Sequence, residues 1–135
     1  MDEKMLGSCL CGEVSFKIGC TIDSFFLCHC KFCQKDTGSA HAANLFCRNS
    51  NFNWLSGEEL VKSFHLPSTR HTKSFCSNCG SAVPSVQREL KFVVVPAGSL
   101  DSPLNLKPNA HLFMSSKANW EKNLGELQMF EELPT

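Results

Sequence analysis

Residues 9–18 read Cys9-Leu10-Cys11-Gly12-Glu13-Val14-Ser15-Phe16-Lys17-Ile18, and the nature of the fold is decided there. From Glu13 onward apolar and polar residues alternate strictly, so Val14, Phe16 and Ile18 share one face while Glu13, Ser15 and Lys17 share the other. That is the signature of a half-buried strand. Directly before it stand two thiols at C-x-C spacing, which face the same way on an extended backbone, and Gly12 follows them at the point where a tight knuckle calls for positive φ. A strand launched from a thiol-bearing knuckle belongs to a small β fold stapled by metal.

Further β-like runs lie at 25–28, 42–46, 61–66, 82–86, 92–95 and 111–114. Turn signals separate them, namely Ser56-Gly57, Pro67-Ser68, Gly80-Ser81, Gly98-Ser99 and Asp101-Ser102-Pro103. Helical pattern is confined to a turn or two after Cys30, after Ser56 and around 117–124. The expectation is an all-β, mainly antiparallel fold with few or no helices, and residues 1–135 as one domain.

Composition narrows the class. The chain is 42% hydrophobic and 19% charged, which suits a packed core and weighs against wholesale disorder. Thirteen basic and thirteen acidic residues cancel, so nonspecific nucleic-acid binding is not expected. Apolar runs such as 92–95 fall far short of the roughly 20 residues that cross a bilayer. The first residues carry Asp2 and Glu3 where a secretory leader would carry base, and no apolar stretch follows, so a cytoplasmic protein is expected.

Nine cysteines in 135 residues are the unusual number. An odd count in a reducing compartment favours thiolates on metal over disulfides. Seven fall into three clusters: Cys9 and Cys11; Cys28, Cys30 and Cys33; Cys76 and Cys79. Gly80 follows Cys79 as Gly12 follows Cys11. Two tetrahedral zinc sites need eight ligands, so seven thiolates leave one position open. One partition joins Cys9, Cys11, Cys76 and Cys79 in a closed site and leaves Cys28, Cys30 and Cys33 in an open one. Another makes a zinc ribbon of Cys30, Cys33, Cys76 and Cys79, and spacing alone leaves both standing. Cys20 and Cys47 stand apart and are expected to be packing residues. His29 lies between two ligands and faces away from a metal they share, as a surface group or one that supports the ligands from outside. His41, His65, His71 and His111 have no ligand spacing.

The order GSCLCGEVSF (7–16), CHCKFCQKDTGS (28–39), KSFCSNCGS (73–81), AGSLDSP (97–103) and HLFMSSKANW (111–120) resembles the glutathione-dependent formaldehyde-activating enzyme family, which includes centromere protein V. The resemblance implies a zinc-containing β-tent fold, a structural zinc on Cys9, Cys11, Cys76 and Cys79, and a second, catalytic zinc on Cys28, Cys30 and Cys33. It also implies carbon–sulfur lyase-type chemistry, in which glutathione and formaldehyde form S-(hydroxymethyl)glutathione. Gln34 departs from the pattern, standing where family members commonly carry arginine.

Three thiolates leave a zinc ion formally anionic and therefore a weak Lewis acid, so capture of a substrate sulfur is the better expectation than polarisation of an aldehyde. Lys35, Arg70 and Lys73 flank the metal motifs and are the candidate partners for the carboxylates of a small thiol such as glutathione. Phe32, Phe75 and Trp120 are expected in the core, Asp101 to organise a turn, and Ser39 to shape the loop beyond the metal. A zinc-stabilised binding module without turnover is the competing reading, and a thiol–disulfide redox protein a third.

Overall fold

The computed structural model describes residues 3–134, with the backbone alone for Glu3, Cys20, Asn49, Ser50 and Arg88. The expectation for the Cys20 side chain lies outside the described residues. Among the described residues eight strands and one α-helix follow one another as β1 (Glu3–Ser8), β2 (Ser15–Cys28), α1 (Lys31–Thr37), β3 (Ala42–Ser56), β4 (Val61–His65), β5 (Thr72–Cys76), β6 (Ser85–Gln87), β7 (Phe92–Pro96) and β8 (Ala110–Leu112). The fold is mainly β, as the alternation and turn signals imply.

The larger sheet runs β1-β2-β3-β7-β6, antiparallel throughout, with β8 added parallel to β2. Because β3 covers one side of β2, the other side is shared: β1 pairs with residues 15–20 and β8 with residues 26–28. That parallel pairing sets residues 110–112 beside Cys28. A hairpin of β4 and β5 forms the second sheet. A hydroxyl chain crosses between the sheets, since Ser74 Oγ on β5 is 2.7 Å from both Ser63 Oγ on β4 and Ser85 Oγ on β6.

Val14, Phe16 and Ile18 are wholly buried, as their shared face requires. Burying each such side chain stabilises the fold by about 1.5–3 kcal/mol. Phe16 and Ile18 pack with Phe25, Leu45, Cys47, Val93 and Val95 in the main core, so Cys47 is the packing residue its isolation implied. A second cluster joins Val14 and Val83 to Cys9 and Cys76, with Trp54 packing against both clusters. One patch of core therefore includes the sulfurs themselves.

The expected runs at 13–18 and 25–28 belong to a single strand, β2, and β3 extends ten residues past the expected end at 46. The pairing of β2 with β3 is irregular at three places between 15 and 24, which breaks the alternation in sequence. β5 was hidden in the approach to the Cys76 knuckle, and Ala82 forms an isolated bridge to Phe75 ahead of β6. The helix after Cys30 is present; the helical pattern at 117–124 resolves into short 3-10 turns at 114–116 and 124–126. Asp101 does more than shape a turn: its carboxylate accepts the Ser8 hydroxyl at 2.7 Å and its amide donates to Leu6 O at 2.8 Å, latching the 97–103 loop to β1.

Candidate metal centres

The fold gathers Cys9, Cys11, Cys76 and Cys79 into one group and Cys28, Cys30 and Cys33 into another, the sulfurs of each within 4.8 Å of one another. Cys30 and Cys33 do not join Cys76 and Cys79, so the ribbon partition is set aside.

The four-thiol group is made of two matching knuckles. Gly12 (φ 81°) donates its amide to Cys9 O, and Gly80 (φ 78°) donates to Cys76 O. Both need the left-handed conformation that only glycine adopts cheaply. Ser81 stitches the knuckles together, accepting the Leu10 amide at 2.9 Å and lying 3.0 Å from Cys79 Sγ. Cys9 and Cys11 sulfurs are 3.6 Å apart, and those of Cys11 and Cys76 are 3.9 Å apart. A tetrahedral zinc with bonds of about 2.3 Å separates its sulfurs by about 3.8 Å, so the group fits that ion. Outer donors already point at the sulfurs: Val14 N–H to Cys9, Asn78 N–H to Cys76, and Asn78 Nδ2 to Cys11 at 3.2 Å. The Ser81 hydroxyl, followed by its amide, lowers Cys79 to about 5, which makes that sulfur a ready thiolate ligand.

The three-thiol group sits where β2 runs into α1. Cys30 is the N-cap of the helix, and its sulfur accepts the Cys33 amide at 3.4 Å. Burial pushes Cys28 up; it pushes Cys33 up much further, with the neighbouring Cys28 and Cys30 sulfurs adding to the effect. Burial acts on Cys30 as well, but hydrogen bonds led by the Cys33 amide outweigh it and lower that thiol. Three sulfurs this close resist ionising together unless a cation neutralises them, so the donor set suits a thiophilic ion. Among the described residues no fourth His, Cys, Asp or Glu completes the group.

Charged side chains brace the three-thiol segment from outside. Asp36 on α1 receives His71 Nε2 at 2.7 Å, while Lys73 Nζ lies 3.2 Å from its carboxylate and donates to its backbone oxygen at 2.6 Å. His71 and Lys73 flank the start of β5, the strand that ends in Cys76, so this contact ties one thiol group to the other. His29 is fully buried, not a surface group. Its Nε2 lies 2.8 Å from His111 Nδ1, and its Nδ1 lies 2.8 Å from Glu121 Oε1. No hydrogen bond joins that pair, and neither atom has another hydrogen-bond partner. His41 packs against the same ring at a centroid distance of 5.1 Å. Burial first, and then His29, hold His41 below the usual imidazole range, with Glu121 pulling the other way.

Of the three cations expected at the site, Lys35 lines an open cleft of about 510 Å³ with Lys31, Gln34, Gly38, Ser39 and Trp120. Lys73 is engaged by Asp36, and Arg70 is exposed on the loop between β4 and β5. Phe32 and Trp120 are about half exposed, at 48% and 60%, and so are not core residues; Phe75 is half-buried. Their neighbours in sequence explain the difference, because Cys33 takes the inward face of α1 and Ala118 the inward position of the last segment. Ser39 is exposed and donates its amide to Thr37 Oγ1, a loop contact. Asp36, His111 and Glu121 carried no spacing signal that could have marked them.

The sequence profile described as "Glutathione-dependent formaldehyde-activating enzyme" matches residues 4–116. No curated protein matches. A crystal structure of a protein from Rhodobacter sphaeroides has the same fold, with a TM-score of 0.59 and 21% identity over 79% of this chain and 99% of the other. No helix among the described residues is long and apolar enough to cross a membrane.

Proposed function

This chain belongs to the glutathione-dependent formaldehyde-activating enzyme family, and from that premise we propose that it is a zinc-dependent enzyme of carbon–sulfur lyase type, joining a small thiol to formaldehyde. Glutathione is the thiol the family implies, and S-(hydroxymethyl)glutathione the product; a reducing cytoplasm would keep the ligands as thiols. The observation that carries the reading is the inequality of the two groups, four thiols beside three.

Cys9, Cys11, Cys76 and Cys79 hold a structural zinc in this reading, and Cys28, Cys30 and Cys33 a second one. Zinc bound by three thiolates supplies an open position that keeps a substrate sulfur ionised near neutral pH. In the addition, the sulfur lone pair attacks the aldehyde carbon, the C–S bond forms, and the carbonyl π electrons move to oxygen. That oxygen takes up the proton the thiol released, so no oxidant or reductant is needed. In this reading Lys35, which lines the cleft with Lys31, holds a carboxylate of the thiol, and Trp120 offers an apolar wall. Arg70 is free to swing toward a second carboxylate, whereas Lys73 reaches one only by leaving Asp36. The binding-module alternative needs a protein side chain plugging the three-thiol group, and among the described residues no fourth His, Cys, Asp or Glu groups with those sulfurs.

Exchange spectroscopy with carbon-13 formaldehyde and glutathione tests the activity. The zinc-loaded chain should speed exchange between free and thiol-bound carbon beyond the spontaneous rate seen with metal-free protein. Equal rates would remove the enzyme reading.

A further inference from the structure

Beyond β8 the chain has little regular structure, and most of its side chains from 119 onward are exposed. Ala118 is nevertheless buried, and Glu121 is turned inward with its side chain only 13% exposed. The group it meets is His29, which sits between Cys28 and Cys30.

His29 is hydrogen-bonded at three of its four polar atoms, and the fourth, Nδ1, faces the Glu121 carboxylate without a hydrogen bond. Its amide donates to Leu112 O at 2.8 Å, and its carbonyl accepts Gln34 Nε2 at 2.7 Å. Gln34 in turn donates to Ser116 O at 3.0 Å. One ring nitrogen meets His111 and the other meets Glu121, each at 2.8 Å. The ligand-bearing segment 28–34 is therefore strapped to residues 111–121 along both backbone and side chains. The backbone ties can survive loss of any single side chain, but the buried imidazole Nδ1 has only Glu121 opposite it. Removing the Glu121 side chain would leave the Nδ1 edge of the buried ring with no group at close approach, so the ring, and with it the backbone between Cys28 and Cys30, would be held from the His111 side alone.

We propose that Glu121, acting through His29, is a positioning residue that holds Cys28 and Cys30 in the arrangement that binds metal. Glu121 lies outside residues 4–116, the stretch that matches the family. This positioning role rests on the reading that the three-thiol group takes zinc, but not on which thiol or aldehyde is used. Groups supporting a metal ligand from outside typically contribute about 10–100-fold to metal affinity, and a similar loss is expected at the three-thiol site alone.

The test is a competitive cobalt titration of the full chain that resolves the two sites, run on the native protein, Glu121→Ala, Glu121→Gln and the exposed control Lys122→Ala. Glu121→Ala should weaken the three-thiol site by about 10-fold or more and leave the four-thiol site unchanged. Glu121→Gln, which fills the same space without the charge, should recover only part of that loss, and Lys122→Ala should match native. Amide hydrogen exchange over residues 28–34 in metal-free protein reads the latch independently of loading: faster exchange in Glu121→Ala, confined to that segment, is expected. Equal weakening of both sites, unchanged affinity, or unchanged exchange would overturn the proposal. Should native protein bind no metal at the three-thiol group, the proposed function fails, and the exchange data alone then decide the latch.

Discussion

The two thiol groups are built on opposite plans. The four-thiol group joins parts of the chain 65 residues apart, Cys11 to Cys76, and lies against its own hydrophobic cluster of Val14 and Val83. Its sulfurs already receive amide donors, and two glycine knuckles mirror each other across Ser81. The three-thiol group is local in sequence, at the start of a seven-residue helix, and its support comes from side chains at a distance, Glu121 and His111 on one side and His71 and Lys73 on the other. The first is part of the core and closes the chain. The second is held by the finished fold.

The largest effect should come from breaking the first group. Structural zinc sites contribute roughly 10–16 kcal/mol of binding energy, comparable with the about 5–15 kcal/mol that stabilises a whole domain. Cys9→Ser and Cys79→Ser should therefore yield protein without a cooperative melt by circular dichroism. Cys30→Ser should melt cooperatively, and elemental analysis should find about one zinc, against about two expected of native protein. The reverse ranking would exchange the roles of the two groups.

The contact between the groups is the next place to press. Asp36→Ala leaves His71 and Lys73 without their shared partner at partly buried positions. Denaturant unfolding should show a loss of about 1 kcal/mol after allowance for solvent screening, with zinc retained at the four-thiol site. A loss as large as that of Cys79→Ser would mean that the helix is part of the folding core after all.

The smallest effect is expected from pH. Burial holds His41 below its unfolded value of 6.5, so the unfolded chain binds the extra proton first. Stability is then fully present above 6.5 and declines as pH falls from there toward the folded value. Chemical unfolding across that window should show a shallower slope for His41→Asn than for native protein; identical slopes would remove His41 as a contributor.

Much of this contrast was legible in the residues themselves. Cys9, Cys11 and Gly12 mark a knuckle by spacing, Cys79 and Gly80 repeat it, and Phe16 and Ile18, with Val14 just ahead of the strand, declare the buried face of β2. The alternation fails at the irregular pairing of 19–24, so β2 read as two strands. Asn44, Asn51 and Asn53 dilute the apolar signal of β3, which hid its length. Local pattern also carries no information on partners such as His29 and His111, which are 82 residues apart in sequence. Their meeting depends on β8 pairing parallel to β2, a long-range choice that only the completed fold makes.

The central claim is that the three-thiol group keeps a coordination position for a substrate sulfur. Cobalt-substituted protein tests it most directly, because a fourth thiolate joining three strengthens the sulfur-to-metal charge-transfer absorption. Adding glutathione should intensify that band in native protein and leave it unchanged in Cys30→Ser. A native spectrum indifferent to glutathione and to other small thiols would contradict the claim and leave the chain a zinc-stabilised binding module.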